Sequence, residues 1–400
     1  MGIITEDRTV AHRSTVPANR DTDVNLFVRW LRRNDVDSLP AARRRPVLML
    51  HGRSVPGLVW ADLDSNFGSY SWARELANDG FDVFVMDLQG MGRSSRPAQM
   101  DQPCNVNPAQ QRLIGVSCAP TYRKQLNNSQ TDQDELDAVV EWIRKELRLP
   151  AGQQIALIGY SAAAYALGPY AMTYPKKVSS LLLVAPIFPL QGRSTYDPPL
   201  LEDAISAPVG LYGFPMHIED KTFFKAGWDS QLDTVNCPDQ RDDANNVVDV
   251  VWNAIMANDP RGSSWGPGVT RVRNVYWWGW NSSIVSADRT DLGTRVPLLI
   301  IYGARDTTAN NPASFSGPLS VPDLYYAVQG HRKLMYRLDC AGHFVVWERQ
   351  REHLYRLSKE WLNSPDHSID GNSTGTFSVD KNGEVKPTSI DPMGVLSEPL

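Results

Sequence analysis

Several stretches of this chain are short and almost unbrokenly apolar: Pro46–Leu50, Phe81–Leu88, Ile155–Tyr160, Val178–Ala185 and Val296–Tyr302. Runs of this length bounded by Gly, Pro or Asp read as strands buried on both faces of a parallel sheet. Lys333–Leu338 reads as a last strand of the same kind. Between them the period changes to that of a helix. Ser71–Asn78 is stopped by Asp79-Gly80. After Thr131, the residues Leu136, Val139, Val140, Ile143 and Leu147 fall on one face, with Thr131 and Asp134 as the expected capping box. A closing helix carries Trp347, Leu354, Leu357 and Trp361 on one face. Near the start, His12–Val16 and Val24–Leu31 flank a polar turn and predict an edge hairpin. The β-α-β rhythm predicts an α/β fold with a mostly parallel twisted sheet flanked by helices.

The rhythm breaks in three places. Residues 98–130 form a polar excursion longer than compact domains usually carry, which suits an extra loop near a site. Residues 188–294 lose the strand–helix alternation and hold six of the twelve tryptophans: Trp228, Trp252, Trp265, Trp277, Trp278 and Trp280. Core packing of a helical insert and an aromatic roof over a ligand both account for them. The expected organisation is therefore a core of 12–187 and 295–363 with 188–294 inserted as a cap or lid. Residues 364–400 are polar and expected to be largely disordered, apart from a small type I′ hairpin around Asn382-Gly383.

Composition narrows the possible partners. The chain has 400 residues, 42% of them apolar, and a net charge of -5, which favours neither nucleic acid nor an anionic membrane surface. No apolar run approaches the ~18 residues of a membrane span. The first residues lack the plan of a signal peptide, so a cytoplasmic address is expected. Cys104 and Cys118 bracket one loop and can be bridged, whereas Cys237 and Cys340 are expected to be unpaired. The Arg43–Arg45 block reads as a solvated strand entrance. No cofactor is expected: Gln89-Gly-Met-Gly92 lacks the order of a nucleotide-binding loop, and no Cys, His and acid spacing suggests a metal. Oligomeric state has no signature in the sequence.

The chemistry converges on three strand ends. Ile155-Ala-Leu-Ile-Gly-Tyr-Ser-Ala-Ala163 reads as a strand entering a sharp turn, with small residues where its arms meet and Ser161 pushed out above the sheet. Asp306 follows the strand ending at Tyr302, and His343 follows the last strand. A serine hydroxyl needs a base within hydrogen-bond reach, and that base needs a carboxylate to hold its tautomer. Asp339 is a weaker candidate for that carboxylate, since it should still lie on the strand. Of the remaining histidines, His51 suits organising a loop, and His12, His217, His331, His353 and His367 suit the surface or packing.

With His51-Gly52, Asp87-Leu-Gln-Gly-Met-Gly-Arg-Ser94, Gly159-Tyr-Ser-Ala-Ala163, Gly303-Ala-Arg-Asp306 and Gly342-His343 in this order, the chain resembles the α/β-hydrolase superfamily. The insert is similar to the cap of the branch that contains many esterases. The resemblance implies a serine hydrolase acting through Ser161, His343 and Asp306, with the backbone N–H groups of Arg53 and Ala162 as the oxyanion hole. The substrate it implies is a small molecule: an ester, lactone or thioester with a sizeable apolar or aromatic body. Dehalogenases and epoxide hydrolases carry Asp where Ser161 stands, so those activities are disfavoured. A C–C bond hydrolase and a triad-retaining binding protein remain as alternatives. Ala163 departs from the usual glycine at the end of the elbow. The Arg53 guanidinium either reaches a substrate carboxylate or pairs with an acid at the loop surface.

Overall fold

The computed structural model describes residues 2–65, 68–122, 126–188, 215–274, 291–314, 318–390 and 396–397. Apart from two short pairs, Leu63–Ser65 with Gly68–Tyr70 and Ser389–Ile390 with Leu396–Ser397, the described strands in chain order are β1 (Ile3–Arg13), β2 (Asp23–Arg33), β3 (Pro46–Leu50), β4 (Asp82–Met86), β5 (Ile155–Tyr160), β6 (Val178–Val184), β7 (Met216–Asp220), β8 (Val269–Arg273), β9 (Leu298–Gly303), β10 (Lys333–Leu338), β11 (Gly375–Val379) and β12 (Val385–Pro387). Among the described residues, ten of them form one sheet in the order β1-β2-β4-β3-β5-β6-β9-β10-β11-β12. The seven central strands from β4 to β11 are mutually parallel, and the sheet is antiparallel at both ends.

Alternate residues of the apolar strands feed opposite faces. Val47, Met49, Val83, Val85, Ile158 and Leu299 pack under the helices α1 (Trp72–Asn78) and Arg351–Asn363, through Trp72, Leu76, Leu354 and Trp361. Leu48, Leu50, Phe84, Met86, Leu157 and Ile300 pack under α2 (Ser129–Glu146) and α3 (Ala164–Thr173). Each such side chain contributes roughly 1.5–3 kcal/mol by leaving water. This two-sided burial explains why the central runs are continuous rather than alternating.

Several expectations need correction. The first hairpin is longer than its apolar pattern, pairing Ile3 with Arg33 through Arg13 with Asp23, because ion pairs such as Arg29 with Asp7 carry its exposed face. Helix α2 starts earlier than the Thr131 and Asp134 box implies. Asn128 is the cap, its side chain accepting from the Thr131 N–H, while Thr131 Oγ1 accepts from the Asn128 N–H. Asn outranks Thr at this position. In the basic block, Arg44 is bound to the buried Asp82, so this strand entrance is not simply solvated.

Among the described residues the tail is ordered. β11 extends the sheet beside β10, and β12 returns across Asp380–Glu384. Gly383 has φ +89° and donates its N–H to Asp380 O, while Asn382 is not left-handed, so the connection is a longer loop and not the two-residue type I′ turn. The expected hairpin is therefore present, with a different turn; its joining to the main sheet had no hydrophobic signal, because little more than Phe377 and Val379 is buried on it.

The segment between β6 and β9 contains the separate antiparallel pair β7–β8 and the helices α4 (Lys221–Asp229) and α5 (Val247–Ala257). Trp228, Trp252 and Trp265 are buried there as packing residues. Trp228 stacks on Phe344 at 5.1 Å, and Phe224 lies against both Trp252 and Phe344. Trp277, Trp278 and Trp280 lie outside the described residues. The described part of the 98–130 excursion packs on this segment: Met100, Val106 and Leu126 meet Met216, Ile218 and Trp265.

Cys104 and Cys118 are bridged. Cys237 and Cys340 are bridged as well, contrary to the expectation that both are unpaired. Their 103-residue separation hid the pairing, and only the fold brings the inserted segment against the turn after β10. Closing so long a loop stabilises the fold by roughly 2–5 kcal/mol. Reduction under native conditions should therefore lower the melting temperature, and Cys237→Ser should reproduce most of that shift in calorimetry. Among the described residues no helix is long and apolar enough to cross a membrane.

Candidate active site

Ser161 leaves β5 with φ 57°, a left-handed conformation that costs a non-glycine residue roughly 1–2 kcal/mol. The crossing of strand and helix is tight. A Cβ at Gly159 would lie 2.5 Å from Leu167 Cδ1 and 3.0 Å from Ala163 Cβ. Glycine is therefore required at 159, and with that space open the methyl group of Ala163 is accommodated.

Asp306 and His343 come to this serine from β9 and β10. His343 Nε2 is 2.9 Å from Ser161 Oγ, and His343 Nδ1 is 2.9 Å from Asp306 Oδ2. Asp306 Oδ1 accepts the N–H groups of Thr308 and Ala309 at 3.0 and 2.7 Å, which fixes the carboxylate plane. Since an ionised carboxylate only accepts, Nδ1 carries the ring proton and Nε2 presents its lone pair to the serine. All three side chains are buried. The arrangement can move a proton from the hydroxyl to the imidazole while the carboxylate stabilises the cation that forms. The carboxylate at His343 Nδ1 is Asp306 and not Asp339, which lies 3.8 Å from Arg337.

The loop from β3 is pressed against the elbow. A Cβ at Gly52 would lie 3.0 Å from Ser161 Cβ, so the close approach of this backbone requires glycine. His51 Nδ1 donates to Gly52 O at 2.5 Å and its Nε2 accepts the Leu88 N–H at 3.0 Å. Burial pushes the His51 pKa down, so the ring is neutral and ties two loops together. A crevice of about 20 Å³ is lined by Gly52, Arg53, Ala162, Ala163 and Arg273, room for about one water-sized group. The glycine-rich turn is structural: Asp87 accepts from the N–H groups of Gly57 and Arg93, and Gly92 has no room for a Cβ beside that carboxylate.

The Arg53 guanidinium pairs with an acid, though not at the loop surface. Glu219 on β7 holds it at 3.0 Å, and His217 Nε2 also contacts it. Burial pushes Glu219 up, but Arg53 and the His217 hydrogen bond outweigh it and bring the carboxyl down to about 2. Burial, aided by the charge of Arg53, lowers His217 to about 4. The unfolded chain takes up the histidine proton near pH 6.5 and the folded chain only near 4, so this contribution is complete above pH 6.5 and is lost as pH falls toward 4. Its size is on the order of 3 kcal/mol. His217→Gln should accordingly flatten the wild-type fall in melting temperature between pH 6.5 and 4, as read by scanning calorimetry against pH.

Sequence reading missed three supports. Tyr160, beside the serine, donates its hydroxyl to His343 O at 2.8 Å, and the rings are 5.3 Å apart. Glu348 accepts from the Gly342 N–H and from Trp228 Nε1 at 2.7 and 2.9 Å, and burial raises its carboxyl to about 7. Gln231, in the inserted segment, accepts the His343 N–H at 2.7 Å. The only available signal was proximity in sequence to Ser161 and His343 for the first two; Gln231 had none. Among the described residues no three His, Cys, Asp or Glu side chains are grouped so as to hold a metal.

A family model described as alpha/beta hydrolase fold matches residues 45–350. The chain belongs to the alpha/beta hydrolase fold family. Within the family, an Arabidopsis thaliana protein named "Putative methylesterase 11, chloroplastic" is 24% identical over 200 residues, 46% of this chain and 43% of that protein. An abhydrolase domain-containing protein of Caenorhabditis elegans is 22% identical over 167 residues, 42% of this chain and 28% of its own length. The chain thus covers less than half of either relative. The crystal structure of a Pseudomonas aeruginosa protein titled a probable hydrolytic enzyme superposes with a TM-score of 0.50 at 15% identity, covering 88% of this chain and 94% of that one, which bears on the fold alone.

Proposed function

We propose that this member of the alpha/beta hydrolase fold family is a serine hydrolase that cleaves an ester, lactone or thioester. The observation that carries the reading is the unbroken contact from Asp306 through His343 to Ser161, two steps of 2.9 Å each. Ser161 Oγ attacks the acyl carbonyl as His343 Nε2 takes its proton. The N–H groups of Arg53 and Ala162 hold the oxyanion, and the imidazolium then protonates the leaving group. Water attacks the acyl-enzyme by the same route, returning the proton to Ser161. The word methylesterase in a relative's name agrees with ester chemistry.

The inserted segment acts in this reading as a cap over a small-molecule substrate with an apolar body. The buried Trp228, Trp252 and Trp265 are spent on packing and add nothing to the aromatic roof. A C–C bond hydrolase on the same scaffold is the second reading, since the same three residues can serve acid-base chemistry on a carbon–carbon bond. The two disulfides favour an oxidising compartment over the expected cytoplasmic address, since cytosolic thiols are kept reduced.

Fluorophosphonate labelling followed by peptide mapping tests the reading, with label expected on Ser161. Turnover of short p-nitrophenyl esters separates an ester-cleaving site from a C–C enzyme or a binding protein. No label on Ser161 in folded protein overturns it.

A further inference from the structure

Gln231 follows α4 in the inserted segment, yet it touches both strand-end loops of the site. Its Oε1 accepts the backbone N–H of His343 at 2.7 Å; its Nε2 donates to Thr308 Oγ1 at 3.0 Å and to Gly227 O at 3.2 Å. The Thr308 N–H donates in turn to Asp306 Oδ1. The amide has one possible orientation, because the His343 N–H can only donate and the Gly227 carbonyl can only accept. Gln231 is 3% exposed, and a Cβ on Gly342 would lie 3.0 Å from its Cβ and its Oε1.

Gln231 is itself held on several sides. Gln240 Nε2 donates to Gln231 O at 3.1 Å, and Gln240 Oε1 accepts the Asp233 N–H at 3.0 Å. The Cys237–Cys340 bridge closes the same segment onto the chain three residues before His343. Tyr160 grips the carbonyl of His343 while Gln231 grips its N–H, so the backbone of the base is fastened at both peptide groups.

We propose that Gln231 is a positioning residue through which the inserted segment sets the turnover of the core, by locking the His343 turn to the Asp306 turn. The proposal rests on the serine hydrolase reading. Gln231 does not bind substrate in it; the amide keeps His343 Nε2 within hydrogen-bond reach of Ser161. A misplacement of about 1 Å in such a relay costs roughly 10²-fold in rate. Ground-state binding of substrate does not involve the His343 backbone, so the loss falls on kcat and not on KM.

The test compares wild type with Gln231→Leu, Gln231→Glu and Thr308→Val by three readouts: the rate of fluorophosphonate labelling at Ser161, kcat and KM for p-nitrophenyl acetate, and melting temperature. For Gln231→Leu the labelling rate and kcat should fall together by roughly 10- to 100-fold with KM little changed. Gln231→Glu keeps the acceptor for the His343 N–H, and the Thr308 hydroxyl can turn to donate to it, but its second oxygen faces the Gly227 carbonyl, so this variant should lose clearly less activity than Gln231→Leu without matching wild type. Thr308→Val should fall between them.

Wild-type labelling and turnover in folded Gln231→Leu overturn the proposal. So does an equal loss in the Glu and Leu variants that tracks their melting temperatures. If Gln231→Leu does not fold, an undiminished kcat in Thr308→Val overturns it. Wild-type protein that takes no label at Ser161 sinks the hydrolase reading and this proposal with it; labelled wild type with an equally reactive Leu variant sinks the positioning role alone.

Discussion

Ser161→Ala should lower kcat for any ester the wild type hydrolyses by roughly 10⁶-fold, leaving only the ~10³–10⁴-fold that binding and an oxyanion hole supply over water. The reason is local. His343 Nε2 has Ser161 Oγ as its hydrogen-bond partner at 2.9 Å, and truncation to methyl leaves the base nothing to deprotonate. Fold should be retained, because alanine tolerates φ 57° about as well as serine does and the neighbouring contacts of Gly159 and Gly52 do not involve the hydroxyl. Ser161→Gly offers a control on that point: it should be as inactive as the alanine variant yet more stable by about 1 kcal/mol, since glycine removes the left-handed strain. Steady-state kinetics with a p-nitrophenyl ester, paired with thermal melts, checks both halves. Residual activity within a hundredfold of wild type would falsify the nucleophile assignment.

That strain also explains what the sequence could reveal. The parallel sheet was legible because a strand buried on both faces must be apolar throughout, as Val47–Leu50 and Leu298–Ile301 are. The serine was legible because a sharp strand-to-helix turn demands small neighbours at 159 and 163. Asp306 and His343 were legible because strand ends are recognisable even when their partners are far away in the chain. The bracing of these residues had no such signature. Gln231, Glu219 and Cys237 belong to a segment without periodicity, and their meaning comes from contacts with Thr308, Arg53 and Cys340, which are 77, 166 and 103 residues away. A glutamine in a polar loop looks like any other until the fold buries it. The edge hairpin was legible from Asn382-Gly383, but its place was not: β11 and β12 bury so little that pattern alone could not show them extending the main sheet.

Asp306→Asn is the sharper probe of the relay, because the surroundings of the carboxylate dictate how the amide must sit. Oδ1 of Asp306 is fixed by two donors, the N–H groups of Thr308 and Ala309 at 3.0 and 2.7 Å. An asparagine must place its carbonyl oxygen there, which turns its NH2 toward His343 Nδ1. Nδ1 can then only accept, so the ring proton moves to Nε2 and points at Ser161 Oγ. The base is in the wrong tautomer while every heavy atom stays in place. The expected loss in kcat near neutral pH is about 10⁴-fold, with fold and melting temperature close to wild type. Fluorophosphonate labelling should slow in proportion, since it needs the same proton transfer, whereas binding of an unreactive ester analogue should not change. If Asp306→Asn keeps kcat within tenfold, a different group holds the histidine. Asp339, 3.8 Å from Arg337, is then the residue to substitute next.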